Sequence, residues 1–436
     1  MKYCVSLFLI VLCVFQIHAV PYSDFFKHYL TNKSITSIPS KNISSNKVKE
    51  WQTKVWKAWQ QANMTMQEEK LPPLSSLSKG QSEIWHIPDS LEPHAAIPYY
   101  WGTKGNSESP YPMFLYLHGS GPKEQEWQTG LKICSMFDDA PSLYFIPQIP
   151  NEGSYYRWWQ KGKQYIWERL LRQALVSGNV NPNRIYFFGI SEGGYGSQRL
   201  ASFYADYLAG AGPMAGGEPL KNAPAENYAN IAFSFITGAE DYGFFRNLLT
   251  RYTQEALDSL QRLHPDYYTH RIMLVPQAGH FVDYKLTTPW LKQYTRNPYP
   301  HYFCWEDFEM DGKRRNGFYN IEVVKRHQAD VRTRYEMNIK GNQVSLQIQD
   351  VTYKTIQKER GIELKFLKSY TPATDGKIIV YLCSELVDLN KEVTITVNGK
   401  PKFKGKPKLN VSNMLRSCLT FSDPCRIYPA AVEIEL

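Results

Sequence analysis

Residues 185–194 read IYFFGISEGG, and this stretch decides the fold. The apolar run 185–188 leads into a G-x-S-x-G motif, and apolar residues at helical spacing follow it. The pattern predicts a buried strand that turns sharply into a helix, with Ser191 at the apex of the turn and its hydroxyl exposed. Glycines are needed around Ser191 because larger side chains would clash in so tight a turn. The positive end of the helix dipole lies beneath a serine placed in this way.

The chain around this turn alternates between two patterns. Short apolar runs rich in β-branched and aromatic residues predict buried strands at 113–117, 143–149, 185–188 and 231–236. Apolar residues at helical spacing predict helices at 165–176, 194–204 and 244–263. Because strands that alternate with helices build a parallel sheet covered on both faces, the sequence predicts the α/β class, with a mostly parallel central sheet flanked by helices.

Two later loops supply the partners that a serine nucleophile needs. A serine hydroxyl attacks only when a base removes its proton and an acid orients that base. One strand pattern is followed by TGAED, which ends in Asp241, and a later one by QAGHF, which contains His280. The order Ser, Asp, His is the one expected for a serine on a strand-to-helix turn. The loop spacing favours Asp241 over Glu240, and a structural loop histidine is the alternative for His280.

An HGxG loop, residues 118–121, ends an early predicted strand. Attack on a carbonyl creates a negative oxygen, and a donor aimed at that oxygen beforehand is worth about 2.7–4 kcal/mol in other enzymes. The backbone N–H groups of Ser120 and of Glu192, the residue after the serine, are the candidate donors of this oxyanion hole. His118 is interpreted as an anchor of the loop and not as a base.

These motifs together resemble those of the α/β-hydrolase superfamily, in particular its secreted esterase branch of feruloyl esterases, acetylxylan esterases and polyhydroxybutyrate depolymerases. The matching segments are residues 113–121, 189–194, 238–241 and 279–280, and the resemblance covers about residues 84–292. It implies an α/β-hydrolase fold and a serine hydrolase that cleaves carboxylic esters through a Ser-His-Asp triad and an acyl-enzyme. The implied substrates are esters, with acetyl or feruloyl decorations on polysaccharides as the expected targets.

The ends of the chain predict export and an accessory domain. Lys2, a short apolar run and Ala19 predict a signal peptide over residues 1–19. Because the run is shorter than the ~20 residues of a membrane-spanning helix, we expect an exported, soluble protein without stable membrane insertion. The predicted divisions after it are a polar segment with an amphipathic helix at 20–83, the catalytic α/β-hydrolase domain at 84–310 and a small antiparallel β domain at 311–436.

The predicted C-terminal domain, residues 311–436, shows strand patterns of its own. Residues 344–348 and 393–397 alternate strictly between apolar and polar, and Asn398-Gly399 after the second run predicts a two-residue hairpin. The tail resembles accessory domains attached to exported hydrolases of polysaccharide-degrading bacteria. This resemblance carries no catalytic residue with it.

Composition and motifs exclude several other classes. Apolar residues make up 43% and charged residues 21%, which excludes collagen-like, coiled-coil and wholly disordered chains. The net charge of +9 is spread over the whole chain, so we expect no nucleic-acid partner. No metal or cofactor is expected, because no CxxC, P-loop, HExxH or EF-hand pattern occurs. Residues 210–215 match a dinucleotide-binding pattern, but Pro213 interrupts it, and the segment is predicted as the strand after the nucleophile helix.

Residues 155–159, YYRWW, lie in a predicted loop at the carboxyl end of a strand. In parallel sheets such loops form the ligand crevice. Five aromatic or basic residues in succession cannot all point into a core, so Tyr155, Arg157, Trp158 and Trp159 are candidate substrate contacts, with rings that stack on sugars. The alternative is that the two tryptophans pin the loop onto the fold.

Two other functions remain open on the sequence. A serine peptidase of the prolyl-oligopeptidase type has the same order of triad residues, but the expected N-terminal propeller is much longer than residues 20–83. A noncatalytic glycan-binding protein on a hydrolase scaffold would keep the fold and lose turnover. The sequence predicts no oligomeric state.

Overall fold

The computed structural model describes residues 22–35 and 37–436, so the predicted signal peptide, residues 1–19, lies outside the described residues. The helices are α1 Ser23–Asn32, α2 Val48–Thr65, α3 Lys123–Met136, α4 Lys161–Ser177, α5 Glu192–Tyr204, α6 Arg246–Leu263, α7 Thr287–Leu291 and α8 Val411–Phe421. The first eight strands are β1 Ser82–His86, β2 Ala96–Lys104, β3 Tyr111–Leu117, β4 Ser142–Pro147, β5 Val180–Ile190, β6 Gly210–Met214, β7 Ala232–Gly238 and β8 His270–Val275. The later strands are β9 Tyr302–Asp307, β10 Gly317–Phe318, β11 Ile321–Lys325, β12 Thr333–Lys340, β13 Gln343–Glu359, β14 Ile362–Pro372, β15 Lys377–Leu382, β16 Val393–Val397, β17 Lys400–Gly405 and β18 Ala430–Glu435.

Strands β1 to β8 form one sheet in the order β1-β2-β4-β3-β5-β6-β7-β8. Every neighbouring pair from β4 to β8 is parallel, whereas β2 pairs antiparallel with β1 and with β4. The predicted α/β class with a mostly parallel sheet is therefore confirmed. The segment with Pro213 supplies β6, as predicted.

Strand β3 shows why this sheet is covered on both faces. Met113, Leu115 and Leu117 belong to one hydrophobic core, and Phe114 and Tyr116 belong to the other. Because successive side chains of a strand point to opposite faces, both faces of β3 are buried under helices and loops. Strand β8, which precedes His280, lies at the edge of the sheet, and its residues are only half-buried.

The parallel strands bring the predicted motifs to one edge of the sheet. The HGxG loop follows β3, Ser191 follows β5, Asp241 follows β7 and His280 follows β8. Parallel strands place their carboxyl ends at the same edge, so four loops that are distant in sequence meet there.

The C-terminal region contains two further sheets. One has the order β10-β11-β15-β18, and the other has the order β17-β16-β13-β12-β9, with β14 paired to β13. All their pairs are antiparallel except β13 with β16, a parallel pair that the sequence did not predict. Strand β9 belongs here, so this region begins before residue 311. The predicted hairpin joins β16 to β17, with φ of 49° at Asn398 and 77° at Gly399.

The N-terminal helices pack on the far end of the chain. Val55 and Trp59 of α2 lie in one hydrophobic cluster with Phe26 of α1 and with Met414 and Leu415 of α8. The predicted amphipathic helix therefore buries its apolar face against α8.

Buried ion pairs fix the C-terminal region to the region of the eight-stranded sheet. Arg426 pairs with Asp206 and with Asp423, and Asp423 accepts from Arg296 Nη1 at 2.7 Å. Charges buried this deeply are stable only when each has its partner, so the contact holds the two regions in one arrangement.

No helix within residues 22–35 and 37–436 is long and apolar enough to cross a bilayer. The described residues also contain no cluster of metal-ligating side chains. Their five cysteines, Cys134, Cys304, Cys383, Cys418 and Cys425, are free.

Candidate active site

Ser191 lies between the end of β5 and the start of α5 in a strained conformation. Its φ is 57° and its ψ is −113°, a backbone region that costs a non-glycine residue about 1–3 kcal/mol. The turn is held by a hydrogen bond from the Ser191 N–H to the carbonyl oxygen of Met214 at 2.9 Å. A Cβ on Gly193 would overlap the carbonyl oxygen of Leu117, so the close approach of the first turn of α5 to the end of β3 requires glycine there. The structure thus presents the hydroxyl at the apex, as the motif predicts.

His280 joins this serine to a carboxylate. Its Nε2 lies 3.0 Å from Ser191 Oγ, and its Nδ1 lies 2.7 Å from Asp241 Oδ2. Since a carboxylate only accepts, Nδ1 carries the proton and the lone pair of Nε2 faces the serine hydroxyl. The structure therefore brings together the three residues that the sequence singled out, in the geometry that activates a serine.

Asp241 is buried and held by a residue that the sequence analysis did not single out. Arg246 Nε lies 2.9 Å from both carboxylate oxygens, and Arg246 Nη2 lies 2.6 Å from Oδ1. Burial opposes ionisation of Asp241, but the hydrogen bonds from Arg246 and His280 outweigh it and keep the pKa of Asp241 below its usual range. The alternative acid, Glu240, is exposed.

The HGxG loop is anchored from below by His118. The Ile149 N–H donates to His118 Nε2 at 3.0 Å, and His118 Nδ1 donates to the carbonyl oxygen of Gly119 at 2.8 Å. Burial lowers the pKa of His118 to about 4, so the ring is neutral, in agreement with a role as anchor. Tyr156 also holds the loop, because its hydroxyl donates to Gly119 O at 2.8 Å and lies 3.3 Å from Gly121 N.

The two predicted oxyanion donors are free. Within residues 22–35 and 37–436, neither the Ser120 N–H nor the Glu192 N–H donates to a protein acceptor. Glu192 begins α5, so its N–H is one of the unpaired donors at a helix N-terminus. Both groups are therefore available to a ligand oxygen.

The sheet order and the turn at Ser191 decide the fold. The region of strands β1 to β8 has an α/β-hydrolase fold. Searches found no matching family profile and no matching curated protein. Among solved structures, the chain resembles a thermostable esterase, with 17% identity and a TM-score of 0.38 over 50% of this chain and 63% of that one.

Two further solved structures each resemble about half of the chain. One is a ferulic acid esterase from the fungus Anaeromyces mucronatus, with 13% identity and a TM-score of 0.34 over 49% of this chain and 87% of that one. The other is a candidate dipeptidyl aminopeptidase IV from Bacteroides ovatus, with 13% identity and a TM-score of 0.37 over 49% of this chain and 34% of that one. The chain thus spans only about a third of the Bacteroides protein and under two thirds of the thermostable esterase.

The predicted substrate contacts at 155–159 are only partly exposed in this hydrolase fold. Trp158 is fully buried, donates from Nε1 to the carbonyl oxygen of His118 at 3.0 Å and packs edge-on against the His118 ring at 4.8 Å. The prediction that Trp158 contacts substrate is therefore wrong, because this side chain supports the oxyanion loop from within the core. Trp159 is half-buried, and the guanidinium of Arg199 lies 4.0 Å from its ring centre.

Tyr155 and Arg157 differ from the tryptophans beside them. The carbonyl oxygen of Tyr155 accepts from Lys163 Nζ at 2.6 Å, and the Tyr155 side chain is half-buried. Arg157 is exposed, and its Nη1 lies 3.5 Å from Glu192 Oε2. Of the four predicted contacts, Arg157 is the one that reaches the residue after the nucleophile.

The Glu192 side chain is itself mostly buried beside the serine. Burial raises its pKa to about 7, against the opposing effect of Arg157. Its Oε1 has no hydrogen-bond partner among the described residues. The sequence marked Glu192 for its backbone alone, so the state of its carboxyl group is a finding of the structure.

Three exposed aromatic residues on the triad loops were not predicted. Tyr242, Phe244 and Phe281 are 70%, 67% and 84% exposed. No clustering in sequence marks them, because Phe281 is about 40 residues from the other two.

Proposed function

We propose that this chain is a serine hydrolase that cleaves carboxylic esters, with Ser191 as nucleophile, His280 as general base and Asp241 as the acid that orients it. One observation carries the proposal. A continuous chain of hydrogen bonds links Asp241, His280 and Ser191, at the apex of a strained strand-to-helix turn. This arrangement makes a serine hydroxyl nucleophilic at neutral pH.

In the acylation step, Ser191 Oγ forms a bond to the ester carbonyl carbon while its proton passes to His280 Nε2. The carbonyl oxygen takes the negative charge, and the N–H groups of Ser120 and Glu192 are placed to donate to it. The bond from carbon to the alcohol oxygen then breaks, and His280 returns the proton to that oxygen. The alcohol leaves, and the acyl group stays on Ser191.

In the deacylation step, water repeats the attack from the side that the alcohol has left. His280 Nε2 takes a proton from the water, the new oxygen bonds to the acyl carbon, and the bond to Ser191 Oγ breaks. The proton on His280 then passes to Oγ. Asp241 keeps its charge throughout and stabilises the protonated imidazole, and Arg246 keeps Asp241 ionised.

The proposed substrates are acyl groups, acetyl or feruloyl, that decorate polysaccharides. The predicted signal peptide at 1–19 supports an exported enzyme, and the motifs that resemble secreted esterases support this substrate class. Recovery of the protein from the medium or periplasm, with an N-terminus close to residue 20, would support export. Retention in the cytoplasm with residue 1 intact would contradict it.

Active-site labelling and ester hydrolysis test the proposed chemistry. The purified chain should react with a fluorophosphonate at Ser191, located by peptide mass spectrometry, and should hydrolyse a chromogenic acetate ester. Ser191→Ala should lose both, whereas Ser135→Ala, at an exposed serine of α3, should keep both. Hydrolysis by Ser191→Ala at the wild-type rate would overturn the proposal, and cleavage of peptide anilides without ester cleavage would favour a peptidase.

A further inference from the structure

Exposed aromatic side chains concentrate at the triad. Of the four aromatic residues that are exposed in the described part of the chain, Tyr242, Phe244 and Phe281 lie in the loops that carry the acid and the histidine. The fourth, Tyr370, is 40% exposed and lies on β14 in the C-terminal region. Three large apolar rings left in water on the loops that meet at one site point to a ligand surface.

The backbone beneath this set is strained. Phe244 has φ of 51° and ψ of 23°, and Phe245 has φ of 59° and ψ of 29°. Two successive bulky residues in the left-handed region are unfavourable. Hydrogen bonds hold the loop in this form, from Phe245 N–H to Tyr242 O at 3.1 Å and from Asn247 N–H to Asp241 O at 3.1 Å. The fold thus maintains an unfavourable loop that leaves the Phe244 ring in solvent.

Contacts tie the rings to the catalytic groups. The Phe281 ring lies 5.9 Å from the His280 ring, between centres. The Phe244 ring lies 5.6 Å from the guanidinium of Arg246, which grips Asp241. Tyr242 follows Asp241 directly in the chain. The Phe281 ring is therefore next to the histidine, the Phe244 ring is next to the arginine that holds the acid, and Tyr242 is the chain neighbour of the acid.

The chemistry of the triad says which part of a substrate occupies this side. His280 must return its proton to the departing alcohol oxygen, so the alcohol lies next to His280 and the rings beside it. The surface is open, because each ring is at least 67% exposed. An open aromatic surface suits a partner with one apolar face and polar edges that stay hydrated, which describes a sugar ring.

We propose that Tyr242, Phe244 and Phe281 form a stacking platform for the sugar ring of the leaving alcohol. This inference rests on the proposed esterase function. It states that the platform contacts the alcohol half of the substrate. It predicts discrimination between esters that share an acyl group and differ in their alcohol.

The test compares two acetate esters, an acetylated xylo-oligosaccharide and ethyl acetate. The ratio of kcat/KM for the first to kcat/KM for the second should fall roughly 3- to 10-fold in Phe281→Ala and in Tyr242→Ala, as loss of one aromatic contact predicts. Tyr370→Ala, the matched exposed aromatic, should keep the wild-type ratio. Tm values of all variants check that they fold.

Three outcomes distinguish failure of the platform from failure of the proposed esterase function. An unchanged ratio in Phe281→Ala and Tyr242→Ala, with wild-type turnover of ethyl acetate, overturns the platform alone. Phenyl acetate, measured in the same variants, is a third ester, and a larger loss on it than on the oligosaccharide also overturns the platform, in favour of an aromatic alcohol. If the wild type cleaves neither ester, the proposed hydrolysis of acetate esters fails. Calorimetric binding of the unesterified oligosaccharide then still decides the platform, which requires weaker binding in Phe281→Ala than in the wild type.

Discussion

Two sets of aromatic loops lie near Ser191, residues 155–159 and the acid and histidine loops together, and they are built in opposite ways. The loop at 155–159 turns Trp158 inward, where it is fully buried against the His118 backbone, and keeps one exposed residue, Arg157. The acid and histidine loops instead leave Phe244 and Phe281 in solvent. The first loop supports the oxyanion loop from below, and the second set faces outward beside the triad. Aromatic content alone therefore does not reveal which loop meets a substrate.

The largest expected effect is a loss of turnover that leaves binding by both sets of aromatic loops unchanged. Ser191→Ala should lower kcat on every ester by up to about 10⁶-fold, because the nucleophile is lost and only the oxyanion donors and binding remain. The same variant should bind an acetylated oligosaccharide as the wild type does, since neither aromatic loop changes. Stopped turnover with retained binding is measured by initial rates and calorimetry. Loss of binding together with turnover would show that the serine turn and the aromatic loops are not independent.

The next effect concerns the loop that carries Tyr242 and Phe244. Asp241→Asn should lower kcat by about 10⁴-fold, because an amide no longer holds His280 in the correct tautomer. Glu240→Gln, one residue away and exposed, is the matched control and should lose little activity. Steady-state rates of both variants on one acetate ester decide which of the two carboxylates is the acid of the triad. A greater loss in Glu240→Gln would reassign the acid.

The two aromatic loops should then differ in what they contribute to stability. Trp158→Ala should destabilise the fold by about 3–5 kcal/mol, the usual cost of removing a buried large aromatic side chain, and should lower Tm by several degrees. Phe281→Ala should leave Tm nearly unchanged, because its ring buries little surface. Thermal unfolding by circular dichroism measures both. Equal Tm shifts in the two variants would remove the distinction between the loops.

The two loops also mark where sequence reasoning succeeded and where it stopped. The strands, the helices and the G-x-S-x-G turn follow from local spacing, and the order of the loops at one sheet edge follows from parallel topology. The orientation of Trp158 depends on a carbonyl group 40 residues away in the chain, that of His118. Such a contact exists only once the core is packed, so the sequence left both orientations open.

The contact of Arg246 with Asp241 could not be predicted from the sequence either. It lies five residues after Asp241, a spacing that places no side chain on Asp241 in a regular helix or strand. The left-handed residues Phe244 and Phe245 bend the chain so that the guanidinium reaches the carboxylate. The partners of β13 and β9 in the C-terminal sheets are also long-range, which is why the parallel pair and the earlier start of that region were not predicted.

The smallest expected effect concerns Glu192, the partner of Arg157 in the loop at 155–159. Burial raises the pKa of Glu192 to about 7 from an ordinary 4.5, while Arg157 and Arg199 oppose the shift and Glu218 adds to it. The folded protein therefore binds this proton more tightly than the unfolded chain does. The stabilisation is complete below pH 4.5 and is lost as the pH rises through 7, a change of about 3 kcal/mol.

Glu192→Gln removes this titration and keeps the backbone N–H of the oxyanion hole. Its Tm should match that of the wild type near pH 4.5 and exceed it increasingly as the pH approaches 8, because the buried negative charge is gone. Glu240→Gln, at an exposed carboxyl, should track the wild type at every pH. Parallel Tm curves for Glu192→Gln and the wild type would mean that the Glu192 carboxyl is as well solvated as an exposed one.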